Sequence, residues 1–159
     1  MRKSEKNITS GNMALTKDFK EFIELLNKHN VRYLVVGGYA VAMHGHPHYT
    51  KDLDVWVDPT RDNAKKILRV LKDFGFESLE LKEEDFTSGE VVQFGNPPNR
   101  IDVLSELTAL NFSDCFNTKQ IIEYEGVSIL VIDLDHLKKN KQAVGRPQDI
   151  ADLDRLKKK

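Results

Sequence analysis

The 159-residue sequence lacks the features of a secreted, membrane or nucleic-acid-coating protein. It has one cysteine, Cys115, which excludes an intrachain disulfide framework and is typical of a reducing compartment. The longest apolar runs are only strand-sized and nothing resembles a signal peptide, so we expect a cytoplasmic protein without a membrane span. The formal net charge is −1, so we expect no strong non-specific binding of nucleic acid.

Several common ligand-binding patterns are absent too. Neither G-x-x-x-x-G-K-[ST] nor G-x-G-x-x-G occurs, which excludes a P-loop and a Rossmann fingerprint. His44, His46 and His48 alternate in a loop, but the glycine and proline between them leave its geometry unfixed and no cysteine lies nearby. Zinc is therefore not favoured, and the role of these histidines stays open.

The length and the distribution of polar residues predict one domain. Residues 1–14 carry charged and small polar side chains without an apolar period, which predicts a flexible tail before a domain that spans residues 15–159. Helices are predicted to begin at Thr16, Thr60 and Asp133, which are good N-cap residues, and to end at Gly75 and Gly145.

The most informative stretch runs from Leu34 to Val57. Before its first glycine, Tyr33 to Val36 is a short apolar run that predicts a buried strand, which stops at Gly37 and Gly38. A helix is predicted directly after the strand. The free backbone N–H groups at such a helix start attract phosphate.

An aspartate pair follows on the next predicted strand. Residues 52–57 alternate strictly, which puts Asp52 and Asp54 on one face. Two carboxylates this close repel each other unless a cation lies between them, and such hard oxygen ligands suit Mg²⁺ or Mn²⁺. A solvated strand edge with two unrelated acids would show the same pattern. The preceding glycine turn favours the metal, because adjacent strands would bring the phosphate cradle and the metal ligands to one crevice.

These two motifs resemble the signature of the nucleotidyltransferases with a DNA-polymerase-β-like fold. Val36-Gly37-Gly38 matches its first part, and Asp52-Leu53-Asp54-Val55 matches its second part. The wider run is most similar to small stand-alone bacterial and archaeal members, which include the toxin or antitoxin enzymes of abortive-infection systems. From about residue 17 onward, the resemblance implies an α/β (α+β) fold with a mixed sheet and flanking helices. It also implies that the two glycines hold the β- and γ-phosphates.

Asp102 is the predicted third acid of the site. It lies on a further alternating strand, after a turn rich in proline and asparagine. Taken alone, such an acid is more often a surface residue; the resemblance implies that it is the third catalytic acid. Asp52, Asp54 and Asp102 would then hold two Mg²⁺ or Mn²⁺ ions.

Two predicted helices at the end of the sequence carry further basic candidates. Lys141 falls on the apolar stripe of the first helix, and Arg146 lies in the junction before the second. Both residues fit ion pairing to Asp149 and Asp152, and both fit phosphate binding; the two interpretations can hold together. The resemblance implies that a basic residue of this region approaches the triphosphate.

Together these features predict a metal-dependent nucleotidyltransferase (EC 2.7.7 type). It would transfer an NMP from an NTP, such as ATP, to an acceptor hydroxyl and release pyrophosphate. The acceptor stays open between a tRNA end, a side chain of a partner protein and a small molecule, and the resemblance suggests a toxin–antitoxin pair. The alternative is a catalytically silent nucleotide- or partner-binding module that retains the fold.

Overall fold

The computed structural model describes residues 15–46, 52–76, 80–95 and 100–157. The predicted tail at residues 1–14 and His48 therefore lie outside the described residues. The helices and strands within these ranges are α1 (Lys17–Lys28), β1 (Tyr33–Val36), α2 (Gly37–Met43), β2 (Leu53–Val57), α3 (Arg61–Phe74), β3 (Val91–Phe94), β4 (Ile101–Leu104), α4 (Phe112–Asn117), β5 (Gln120–Tyr124), β6 (Val127–Val131), α5 (Leu134–Val144) and α6 (Pro147–Lys157). A short 3-10 helix, Glu83–Phe86, precedes β3.

The strands of the described ranges form a single mixed sheet in the order β3-β4-β2-β1-β6-β5. Strands β1 and β2 pair antiparallel, whereas β2 pairs parallel with β4 and β1 pairs parallel with β6. The predicted fold class, a mixed sheet with flanking helices, is confirmed. None of the helices in the described ranges is long and apolar enough to cross a membrane.

The core forms between the central strands and the amphipathic helices. All four residues of β1 are buried, and α1 and α3 contribute the buried faces that their apolar periods predict. Phe22 of α1 and Phe74 of α3 meet edge to face, with ring centroids 5.3 Å apart. On β2, Trp56 is 1% exposed and packs edge to face against Phe112. Trp56 is thus a core residue, and burial of each such large apolar side chain stabilises the fold by about 1.5–3 kcal/mol.

The helix boundaries follow the start and stop signals of the sequence. The side chains of Thr16, Thr60 and Asp133 each accept a hydrogen bond from a backbone N–H in the first turn of α1, α3 and α5. Gly75 and Gly145 end α3 and α5 in the left-handed conformation, with φ of +96° and +69°. All five predicted boundary residues are confirmed.

Candidate active site

The candidate site lies where β1 ends and β2 begins. Val36, the last residue of β1, is the Cα partner of Asp54 on β2, so the glycine turn stands directly beside the second aspartate. Gly37 has a φ of +69°, and a Cβ built on it would overlap Asp54 Oδ2 and lie 3.1 Å from Asp54 Cγ. Both the backbone conformation and the lack of space favour glycine at this position.

The sheet register brings the second and third predicted acids together. Asp54 and Asp102 are Cα partners on the parallel strands β2 and β4, and the neighbouring Asp102 carboxyl is one of the groups that raise the pKa of Asp54. Burial, as the largest cause, and the negative charges of Asp102 and Asp52 together raise the pKa of Asp54 to about 7. Near neutral pH, Asp54 therefore holds a proton for a substantial part of the time.

Arg100 links the first and third acids. Its Nη2 donates to Asp52 Oδ2 at 2.8 Å and to Asp102 Oδ2 at 3.3 Å, and its Nε lies 3.1 Å from Asp102 Oδ1. The guanidinium also acts to lower the pKa of Asp54. The structure thus brings all three predicted acids into one electrostatic cluster with a single arginine among them.

The donor set of this cluster fits a hard divalent cation. It consists of carboxylates whose mutual repulsion already raises the pKa of Asp54, which is the situation that a cation relieves. Gly37 leaves room for the Asp54 carboxylate, which a Cβ at position 37 would overlap. In the described part of the chain, however, no three His, Cys, Asp or Glu side chains are grouped as a metal site. Metal binding by these acids therefore stays a prediction.

The start of α2 retains the features that the phosphate-cradle prediction requires. Gly37 and Gly38 form its first turn, and Val36 at its N-cap contributes no side-chain hydrogen bond. Tyr39 is 3% exposed, so its side chain belongs to the core. The cradle would consequently depend on backbone N–H groups.

The described histidines of the loop have structural contacts. His44 caps the end of α2, and its Nε2 lies 2.7 Å from the carbonyl oxygen of Ile132, where the chain leaves β6. This contact ties α2 to the segment that leads into α5. His46 also has a partner.

The two basic candidates near the C-terminal end differ sharply in exposure. The Lys141 side chain is only 6% exposed, and its Nζ lies 3.0 Å from Asp152 Oδ2 and 3.5 Å from Asp149 Oδ1. The Arg146 side chain is 68% exposed and pairs with Asp149 at 2.6 Å. The ion pairs that the sequence allowed are therefore present. Phosphate binding by Lys141 and Arg146 stays a prediction.

Electrostatics connects Arg146 with the acid cluster. Its hydrogen bond to Asp149 raises the pKa of Arg146, and the charge of Asp54 contributes in the same direction. The α5–α6 junction thus lies within electrostatic reach of Asp54, which stands beside the end of β1.

Arg100 is the residue of this cluster that belongs to neither sequence motif. Its signal was available, because a basic residue two positions before Asp102 lies on the same face of the strand. Its contact with Asp52 could not be foreseen, because it depends on the parallel pairing of β2 with β4.

Comparison with known proteins identifies the fold. Residues 18–94, a little under half of the chain, match the family model of aminoglycoside-2''-adenylyltransferase. This matched segment contains the glycine turn, Asp52 and Asp54. No curated protein matches the chain.

Three solved structures are similar over most of their length. A Thermotoga maritima protein assigned as a nucleotidyltransferase is 16% identical with a TM-score of 0.54, and 85% of this chain and 87% of that chain are covered. The lincomycin-bound lincosamide antibiotic adenylyltransferase LnuA is 15% identical with a TM-score of 0.55, and the coverage is 92% and 99%. An antigenic nucleotidyltransferase-like protein from Paracoccidioides brasiliensis is 14% identical with a TM-score of 0.54, and the coverage is 89% and 77%. At these identities the structures show the fold; together with the family model they support a small nucleotidyltransferase-like protein, as the two motifs predicted.

Proposed function

We propose that the protein is a metal-dependent nucleotidyltransferase that transfers AMP from ATP to a hydroxyl of a small molecule and releases pyrophosphate. The observation that carries the proposal is the register of β1, β2 and β4. It places the glycine turn against Asp54 and places Asp54 beside Asp102. This arrangement supports the proposal because it brings a helix start, whose free backbone N–H groups can bind phosphate, beside adjacent carboxylates.

The names of the similar proteins suggest which nucleotide and which acceptor the protein uses. The matching family model describes an aminoglycoside adenylyltransferase, and LnuA is described as a lincosamide adenylyltransferase bound to lincomycin. Both names combine an adenylyl donor with an antibiotic acceptor. We therefore favour ATP and a hydroxylated small molecule of the antibiotic type, ahead of a tRNA end or a partner protein.

Each predicted site residue has a part in this reaction. Gly37 and Gly38 would bind the β- and γ-phosphates through backbone N–H groups, and Arg146 and Lys141 would add positive charge. Asp52, Asp54 and Asp102 would hold Mg²⁺ or Mn²⁺, which neutralises charge on the triphosphate and on the departing pyrophosphate. Asp102 would accept the proton of the acceptor hydroxyl as the hydroxyl oxygen attacks the α-phosphorus of ATP.

The test is transfer of label from α-³²P-ATP. The protein is incubated with Mg²⁺ and, in separate reactions, with aminoglycosides, lincosamides, total tRNA or cell lysate. We expect label on a small hydroxylated acceptor, loss of transfer in Asp54→Asn, and normal transfer in the control Asp62→Asn, which changes an exposed acid in the first turn of α3.

Other outcomes identify the alternatives. Label on tRNA or on a protein of the lysate would replace the small molecule as acceptor and would favour the toxin–antitoxin role. Binding of ATP without transfer to any acceptor would support the catalytically silent module.

A further inference from the structure

The junction between α5 and α6 holds one arginine in a fixed position. Gly145 ends α5 in the left-handed conformation, and Pro147 begins α6, so Arg146 lies in a tight elbow between the two helices. Asp149, in the first turn of α6, accepts from the Arg146 backbone N at 3.2 Å, from Nε at 2.6 Å and from Nη2 at 3.2 Å. One carboxylate therefore fixes both the backbone and the guanidinium of Arg146.

The Asp149 carboxylate is buried and contacts a second basic residue. The Asp149 side chain is 3% exposed, and Lys141 Nζ lies 3.5 Å from its Oδ1. Burial acts to raise the pKa of Asp149, but the hydrogen bonds from Arg146 and the charges of Lys141 and Arg146 outweigh it, so the pKa is lowered. Asp149 is consequently charged at neutral pH, as a rigid anchor for a guanidinium must be.

The anchored guanidinium still faces solvent. The Arg146 side chain is 68% exposed, whereas Lys141, the other basic candidate, is 6% exposed between Asp149 and Asp152. The charge of Asp54 also acts on Arg146, which relates the elbow to the acid cluster. Of the two basic residues, Arg146 thus has both access and a preset orientation.

We propose that Asp149 is a positioning residue, which holds the Arg146 guanidinium ready for the phosphates of the bound nucleotide. The proposal rests on the proposed function. Its physical basis is preorganisation: an arginine that is already ordered loses less side-chain entropy on binding, and this difference corresponds to about 3- to 10-fold in affinity.

Two simpler accounts predict different results. If only charge mattered, removal of the Asp149 carboxylate would leave Arg146 less neutralised, and ATP would bind more tightly. If Asp149 served only the stability of the helix pair, loss of any buried carboxylate that pairs with Lys141 would have the same effect as loss of Asp149.

Asp152 offers a matched control for the second account. Its side chain is 2% exposed, it pairs with Lys141 at 3.0 Å, and it contacts Arg155 at 2.8 Å with the same spacing of three residues. Asp152→Asn therefore removes an equivalent buried charge without releasing Arg146. Any change in nucleotide binding that is caused by the loss of a Lys141 ion pair is therefore expected in both variants.

The experiment measures equilibrium binding of α,β-methylene-ATP with Mg²⁺, together with thermal unfolding. We expect Asp149→Asn to weaken binding about 3- to 10-fold and Asp152→Asn to stay within about two-fold of wild type. In an Arg146→Ala background, Asp149→Asn should have no further effect, because the side chain that it positions is gone. If Asp149→Asn fails to fold, Arg146→Lys replaces it, since lysine keeps the charge but lacks the fork; weaker binding than wild type is again expected.

Equal weakening in both aspartate variants, or tighter binding in Asp149→Asn, would overturn the proposal while the nucleotide site stands. Wild-type binding by Arg146→Lys, where that variant is needed, would also overturn it. If Arg146→Ala binds the nucleotide like wild type, Arg146 does not contribute to the site and the proposal is refuted. Absence of nucleotide binding by the wild-type protein would instead refute the proposed function.

Discussion

Substitution of Gly37 by alanine tests the packing of the glycine turn against the acid cluster. Gly37 has a φ of +69°, which strains any residue with a side chain by about 1–2 kcal/mol. The new Cβ would also overlap Asp54 Oδ2 and lie 3.2 Å from Asp54 Cβ. Such overpacking adds about 1–3 kcal/mol, so we expect Gly37→Ala to lower the free energy of unfolding by about 2–5 kcal/mol in total.

Gly75 provides the control for backbone strain alone. It ends α3 with a φ of +96°, and a Cβ built on it would meet nothing within 4 Å. We therefore expect Gly75→Ala to lower the free energy of unfolding by only about 1–2 kcal/mol. Urea unfolding followed by circular dichroism measures both variants under the same conditions.

A double-mutant cycle then identifies Asp54 as the cause of the difference. In an Asp54→Ala background the carboxylate is gone, and the effect of Gly37→Ala should fall toward that of Gly75→Ala. Equal effects of the two glycine substitutions in the native background would refute the close packing. An undiminished effect of Gly37→Ala in the Asp54→Ala background would show that another group is the obstacle.

Three further predictions concern ionisation, ligand and buried charge. The pKa of Asp54 rises from 3.8 to about 7 on folding, so the folded state binds an extra proton between these two pH values. The stabilisation from this proton is complete below pH ~4 and is lost by pH ~7. Urea unfolding should show this loss as a decrease of a few kcal/mol in the free energy of unfolding, and Asp54→Asn should abolish it. Mg²⁺ with ATP at about 100 times the Kd should raise the Tm by roughly 5–10 °C through binding to the native state, and an equal rise in Asp54→Asn would count against the metal site. Lys141→Met should lower the free energy of unfolding by about 1–3 kcal/mol, because the buried Asp149 and Asp152 lose the lysine that they share and keep only Arg146 and Arg155; a loss below about 1 kcal/mol would leave Lys141 available for phosphate.

Local chemistry made the secondary structure predictable from the sequence. Each of the three predicted N-cap residues bonds the first turn of its helix, as at Thr16 and Asp133, and each of the two predicted helix ends depends on a glycine with positive φ, as at Gly75. These signals act over three or four residues, so no tertiary information was needed. The strand at Tyr33–Val36 was equally local, because a short apolar run before a glycine pair has few alternatives.

The arrangement of the site was less accessible because it depends on long-range pairing. The sequence placed Asp52 and Asp54 on one strand and Asp102 on another, but the parallel pairing of β2 with β4 sets their separation. That pairing also brings Arg100 to Asp52. Burial of Lys141 was ambiguous for the same reason, since its partners belong to a different helix.

The negative charge of the acid cluster is partly neutralised by a proton and by Arg100, and this neutralisation links the stability of the fold to cation binding. A proton on Asp54 removes one negative charge near neutral pH, and the guanidinium of Arg100 offsets another through Asp52 and Asp102. A divalent cation at the same oxygens would have to displace the proton and weaken the contacts of Arg100. The affinity for the cation should therefore rise with pH up to about 7, over the same range in which the contribution of Asp54 to the stability of the metal-free fold is lost. Protonation of Asp54 thus favours the metal-free fold at low pH, and its ionisation favours the cation complex at higher pH.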